Sequence, residues 1–198
     1  MLRIILVGIL LIALPVVGSC QSSGPEVEKA AETQESSEST KKASDAKASS
    51  RPDIDLLTAI GEENVTVVKQ HMEYGSNPDQ WVVPQGVDGE GAFALHLAAA
   101  VGNTEIVQIL LDKGANINIR ALNKDEATPI QWATVFLQKD AVRLLVKRGA
   151  DLNSVDANGS TALDTALFMV RVTADEDKKE AYQEIWEIIS EAGGNYSK

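Results

Sequence analysis

A single cysteine and two histidines in 198 residues leave most metal and thiol chemistry without material. Cys20, His71 and His96 cannot assemble a four-ligand Cys/His zinc site, a disulfide framework or a Cys/His catalytic pair of the usual kind, so no metal and no cofactor is expected. Basic residues are also scarce: 18 Lys and Arg against 29 Asp and Glu give a formal charge of -11, with no cationic cluster. Attraction to a phosphate backbone is therefore missing, and nucleic acid is excluded as a partner class. The G-x-S-x-G elbow, the phosphate-cradling glycine loop and H-E-x-x-H are all absent, which leaves hydrolase, nucleotide and zinc-protease chemistry without a starting residue. Asp151 to Asn153 and Asp156 to Gly159 have the flavour of a calcium loop but lack the bidentate Glu that ends one, and Asp156-Ala157-Asn158-Gly159 reads better as a hairpin tip. Glu62-Glu63 and Asp175-Glu176-Asp177 read as solvated surface. No catalytic residue is assigned.

Long apolar runs are missing too. The most continuous, Ile4 to Leu14, is 11 residues, well short of the roughly 20 that a spanning helix needs. It follows Arg3 and ends at Pro15, the layout of a secretory leader. Val16-Val17-Gly18-Ser19-Cys20 then resembles a bacterial lipobox: an aliphatic residue three before the cysteine, two small residues, and the cysteine itself. The resemblance implies a leader over 1–19, removed so that Cys20 becomes the lipidated first residue, with diacylglycerol on sulfur and a palmitate-like acyl group on nitrogen. More than one acyl chain gives stable anchoring. Gln21 after the cysteine points to the outer membrane if the cell is Gram-negative.

Residues 20–52 are Ser, Ala, Glu and Lys in mixed order, with Val27 the single large aliphatic residue of 21–51. Such a stretch cannot bury enough surface to offset ordering and is expected to be a disordered tether. As a coil it would reach about 30 Å.

Beyond Pro52 the chain repeats itself. Leu95 to Asn118 fits two short amphipathic helices joined by Gly102-Asn103 and closed at Gly114. Shifted by 35 residues, Thr128 to Asn153 follows the same pattern; shifted back by 39, Leu56 to Asn77 follows it more loosely. A fourth copy opens at Thr161-Ala162-Leu163 and closes at Gly193, with about 11 extra residues around Val172 to Glu180. Ala59, Ala98, Ala133 and Ala166 share one first-helix site; Val68, Val107, Val142 and Trp186 share one second-helix site.

The copies resemble ankyrin repeats, whose signatures T-P-L-H-x-A and G-A-x-x-N appear in Thr128-Pro129, His96 and Gly114-Ala115-Asn116-Ile117-Asn118. The resemblance implies an all-α solenoid of about four helix pairs with hairpin fingers over 53–196, in repeats of about 53–79, 92–118, 127–153 and 160–195. It implies that His96 bonds between neighbouring repeats rather than acting as a base. His71, on a second helix, is expected to be partly exposed.

Ankyrin stacks bind protein partners through their fingers and the concave side of their first helices. Carried across, that stripe is Gly61 and Glu62, Ala100 and Val101, Val135 and Phe136, Phe168 and Met169, polar at one end and bulky at the other. Either the apolar end is a contact surface, or the extra residues Val172 to Glu180 fold over it. The enlarged finger from Asp79 to Gly91 offers Trp81 and Val83, with Trp81 equally suited to sealing the core; the next finger offers Arg120, Leu122 and Lys124 as a locally cationic edge. The candidate contact set is thus Trp81, Val83, Val101, Arg120, Leu122, Phe136, Phe168 and Met169.

These features point to a non-enzymatic, lipid-anchored interaction module on the periplasmic side of a bacterial envelope, with an unidentified protein partner. An inhibitor or immunity protein against a periplasmic toxin or enzyme is one form of it, and a scaffold for an envelope stress-response complex is the alternative. An enzyme would need a site of Asp, Glu and Tyr residues built between repeats.

Overall fold

A computed structural model describes residues 52–197. Eight α-helices form four antiparallel pairs: α1 Leu56–Gly61 with α2 Val65–Tyr74, α3 Ala94–Val101 with α4 Thr104–Asp112, α5 Pro129–Val135 with α6 Lys139–Lys147, and α7 Ala162–Val172 with α8 Glu176–Glu191. No strand forms among the described residues beyond one antiparallel bridge, Val82 to Phe93, which closes the first finger.

The pairs stack in two layers. First helices pack side by side (α1 on α3, α3 on α5, α5 on α7), and second helices do the same (α2 on α4, α4 on α6, α6 on α8). Short helices like these are marginal alone; stacking gives each an apolar neighbour. Ala59, Ala98, Ala133 and Ala166 are fully buried, where a methyl lets the two layers approach closely. Val68, Val107 and Val142 are fully buried as well. Trp186 stands in register with them but is only partly buried, because no further pair covers the last repeat; Ile185 and Ile189 supply the fully buried positions of α8. The indole N–H of Trp186 donates to the Tyr196 hydroxyl at 2.9 Å.

Caps start the helices. Asp55, Asn64, Asn103 and Asp175 accept from backbone N–H groups in the first turns of α1, α2, α4 and α8. Between fingers, the Asp79 carboxylate accepts from the Asn116 N–H, Asn118 Oδ1 from the Asp151 N–H, and Asn153 Oδ1 from the Asn195 N–H. One bond therefore recurs at each repeat junction. On the outer layer an ion pair spans each helix junction: Lys69 with Glu105, Arg148 with Asp112, and Lys139 with Glu184. Being exposed, each contributes at most about 1 kcal/mol.

The extra residues of the fourth copy do not form a loop. α7 runs on to Val172, past the register point of Val101, and α8 begins at Glu176, about two turns before the point where its partners α2, α4 and α6 begin. Three residues, Thr173 to Asp175, join them.

Candidate interaction face

The inner helices present the same three positions outward in each repeat. In α3 they are Leu97, Ala100 and Val101, all half-buried. In α5 they are Trp132, Val135 and Phe136; in α7, Thr165, Phe168 and Met169, followed by Val172 on the added turn. Val135 is 42% exposed, Phe136 45%, Phe168 46% and Val172 45%. Four large apolar side chains on adjacent helices thus share one face while remaining nearly half in water. The lengthened helices leave Phe136 and Phe168 open, so the extra residues do not roof the stripe. Met169 and Val101 lie on the same face, half-buried.

Aromatic packing stiffens this surface. The His96 ring meets Trp132 edge-on at 5.4 Å, and Trp132 lies 5.9 Å from Phe136, so a column of three rings runs from the core to the surface. Gly89 of the first finger walls the column: a Cβ there would sit 3.6 Å from Trp132 and 3.8 Å from Leu97. At the far edge the buried Tyr182 hydroxyl donates to the Val135 carbonyl at 2.8 Å, tying the added start of α8 to the end of α5. Burial also pushes the Tyr182 phenol above its ordinary pKa.

The fingers are less available than their sequences suggest. Val83 is 6% exposed, with its N–H donating to the Ala92 carbonyl and its own carbonyl accepting from the Gly91 N–H. It belongs to the interior of the hairpin and is removed from the contact set. Trp81 is half-buried against the core and meets His71 edge-on at 5.3 Å, so it seals the end of the first repeat. Arg120 donates to the Val155 carbonyl at 2.6 Å and to Glu126 at 3.1 Å. Its guanidinium links the second finger to the third, and its charge is paired with Glu126. Leu122 remains open, 69% exposed, while its N–H donates to the Gly91 carbonyl at 2.7 Å. That contact is so close that a Cβ on Gly91 would lie 2.6 Å from the Asn123 nitrogen, which makes glycine obligatory there.

The histidines are structural. His96 is fully buried; its Nδ1 accepts from the Phe93 N–H at 3.2 Å and its Nε2 donates to the Ala127 carbonyl at 2.9 Å. Burial lowers its pKa to about 4, although the Ala127 and Ile119 carbonyls favour the charged ring. Nδ1 caps its own helix and Nε2 joins the next repeat, so both nitrogens are engaged in structure. His71 is 1% exposed rather than partly exposed, because its Nε2 donates to the Ile54 carbonyl at 2.8 Å and Trp81 covers the ring. At the position of His96, the third repeat has Gln131 and the fourth Asp164. Burial pushes the Asp164 carboxyl up, but bonds from Thr161 and Ser197 outweigh it and hold it low; bonds from Thr58 and Leu57 do the same for Asp55. Both are ionised caps, the opposite of the raised carboxyl a general acid needs.

Three copies of the ankyrin-repeat pattern match residues 56–156, and the fourth helix pair follows them. The chain is 32% identical over 122 residues to the E3 ubiquitin-protein ligase hecd-1 of Caenorhabditis elegans, covering 62% of this chain and 4% of that protein. It is 38% identical over 76 residues to the mouse protein phosphatase 1 regulatory subunit 12A, covering 38% of this chain and 7% of that one. With the rat ankyrin repeat and SAM domain-containing protein 6 it shares 32% over 122 residues, or 60% of this chain and 12% of the relative. The chain thus spans a small fraction of each, and what is shared is the repeat region. Four stacked helix pairs, a histidine bridging two of them and the matched pattern across half the sequence lead to one conclusion: this chain belongs to the ankyrin-repeat family.

Proposed function

We propose that this protein is a lipid-anchored, non-enzymatic ankyrin module of a bacterial cell envelope, which grips another protein with the finger side of its inner helices. The observation that carries the reading is the open stripe of Val135, Phe136, Phe168 and Val172, held in place by packed rings and a buried tyrosine. Exposed apolar clusters of this kind mark contact surfaces, and ankyrin repeats are interaction modules. The anchor rests on Cys20, the sole cysteine, placed after Val17-Gly18-Ser19 and an apolar run; it lies outside the described residues. A tether over 20–52 would raise the module's effective concentration at the membrane.

The form of the function that fits best is an inhibitor or immunity protein that occludes a periplasmic toxin or enzyme. A rigid single face acts by covering its target. One relative is, by its name, a regulatory subunit of protein phosphatase 1, a precedent for repeats of this kind in a protein that acts on an enzyme. A photo-crosslinker placed at Phe168 in cells tests the idea. Capture of one envelope protein whose activity falls on binding is the expected result; no capture from Phe168 or from Phe136 overturns it. Fractionation of Cys20→Ser tests the anchor: the variant should be soluble or unprocessed, and unchanged membrane retention of a cleaved form would remove lipidation from the reading.

A further inference from the structure

We infer that Asn158, at the tip of the third finger, is a site of spontaneous covalent modification: the backbone nitrogen of Gly159 attacks its carboxamide, and the product loosens the junction between the third and fourth repeats. The chain has nine asparagines, and Asn158 is the one followed by glycine. Elsewhere the next side chain crowds the backbone nitrogen; glycine has no Cβ to do so. Asn158 and Gly159 are both exposed, and a Cβ built on Gly159 would meet nothing within 4 Å, so the tip has room for a ring to close.

The other carboxamides are occupied. Among the described residues, seven asparagines use Oδ1 to accept a backbone N–H in caps, in turns or between fingers. Asn195 donates from Nδ2 to Asn153 Oδ1 and to the Gly193 carbonyl. Asn158 has one side-chain bond, from Nδ2 to Asp156 Oδ2 at 3.4 Å. The turn is held by the Gly159 N–H on the Asp156 carbonyl at 3.1 Å, and by Asp156 Oδ1, which accepts from the Asn158 and Ser160 N–H groups at 2.8 and 2.9 Å. These bonds lie at an exposed tip, where water replaces them when the turn opens locally and the stack stays folded.

In the open turn the Gly159 nitrogen bonds to Asn158 Cγ, the Cγ–Nδ2 bond breaks, and ammonia leaves with the Gly159 amide proton. Water then splits the resulting cyclic imide at one of its two carbonyls. One cleavage leaves aspartate; the other leaves isoaspartate, whose main chain runs through the former side chain and is one carbon longer. The longer chain sits inside the turn that the Asp156 N–H closes on the Ser160 carbonyl at 3.0 Å. That carbonyl also accepts from Gln131 Nε2 at 2.7 Å, the bond that joins the third repeat to the fourth. Beside it the Ala157 N–H donates to the Asp125 carbonyl of the second finger at 2.8 Å. Isoaspartate therefore disturbs both links, whereas aspartate adds charge alone.

The full chain carrying Cys20→Ser is incubated at pH 6 and at pH 8, digested, and followed by peptide mass and by isoaspartyl methyltransferase labelling. A gain of about 1 Da is expected at Asn158 at least tenfold faster than at any other asparagine. It should be at least tenfold faster at pH 8 than at pH 6, because the attacking nitrogen must lose its proton. Asn158→Gln should abolish it and Gly159→Ala should slow it at least tenfold. Hydrogen exchange at the Ala157 amide should rise several-fold in the isoaspartyl fraction and stay unchanged in Asn158→Asp. No gain at Asn158, an earlier gain at another asparagine, or a rate indifferent to Gly159→Ala overturns the site. Unaltered Ala157 exchange in the isoaspartyl fraction overturns its effect on the junction.

Discussion

His96 and Gln131 occupy the same place in adjacent repeats and make the same two bonds. Each accepts the N–H of the residue three before it, Phe93 at 3.2 Å and Thr128 at 2.8 Å. Each then donates to a carbonyl of the following repeat, Ala127 at 2.9 Å and Ser160 at 2.7 Å. What the junction requires is one acceptor and one donor at fixed separation, which imidazole and carboxamide both supply. In the last described repeat the equivalent Asp164 only accepts, taking the Thr161 and Ser197 N–H groups.

His96→Gln should therefore fold with little loss, whereas His96→Ala leaves a buried donor and acceptor unpaired and should cost about 2–3 kcal/mol. Urea unfolding at pH 7.5 separates the two, and an equal loss in both variants would refute the equivalence.

The same ring makes stability depend on pH. His96 titrates at about 4 when folded and near 6.5 when unfolded. Between those values the unfolded chain binds the extra proton, so stability is full above pH 6.5 and falls as pH drops toward 4. The integrated loss is about 3 kcal/mol. Asp55 and Asp164, held below their unfolded value of 3.8, lose their contribution only in more acidic solution. His96→Gln should flatten the pH 4–6.5 slope, and a slope that survives in that variant would assign it elsewhere.

Glu63 and Leu137 hold φ of 54° and 60° at the point where the second repeat has Gly102. Left-handed backbone is costly for side-chain-bearing residues, so Glu63→Gly should stabilise the fold by up to about 1 kcal/mol, less what its bond from Asn103 contributes. Leu137→Gly should gain less or lose, because that side chain packs on the core. Gly102→Ala should destabilise, since its Cβ would collide with Gln138, whose amide donates to the Ala100 carbonyl. Thermal melts of the three variants should fall in that order.

The middle repeats were legible in the sequence because each has neighbours on both sides, so burial follows register: Ala98 and Ala133, Val107 and Val142 are all fully covered. At the last described repeat the register puts Trp186 in line, but no further described pair covers it and the burial passes to Ile185 and Ile189. Val83 is more buried, and Arg120 more engaged, than their sequence suggests for a related reason. Exposure in a finger depends on which backbone groups approach it: Ala92 of its own hairpin, 9 residues on, for Val83, and Val155 of the next finger, 35 residues on, for Arg120. The added residues of the fourth copy carry helix-forming Glu, Lys and Ala, and Asp175 caps them into α8, so they lengthen a helix and do not fold over the stripe.

Gly91→Ala should loosen the first two fingers. The added methyl meets the Leu122 and Asn123 backbone at 2.7 and 2.6 Å, atoms that cannot rotate aside. A loss of about 2 kcal/mol or more is expected, with faster hydrogen exchange at the Leu122 amide, which donates to Gly91. Unchanged exchange there would mean that the fingers pack independently.

Val83 and Phe168 should respond in opposite ways. Val83 is 6% exposed and Phe168 46%, so Val83→Ala removes buried contacts and should cost about 2 kcal/mol of stability. Where the protein is still folded it should leave partner affinity intact. Phe168→Ser removes a side chain already half in water and should change stability by well under 1 kcal/mol, while lowering affinity for the partner at least tenfold because a large apolar anchor is lost. Paired unfolding and binding curves decide the matter. If Phe168→Ser destabilises as much as Val83→Ala and leaves binding untouched, the open stripe is a feature of folding and the partner sits elsewhere.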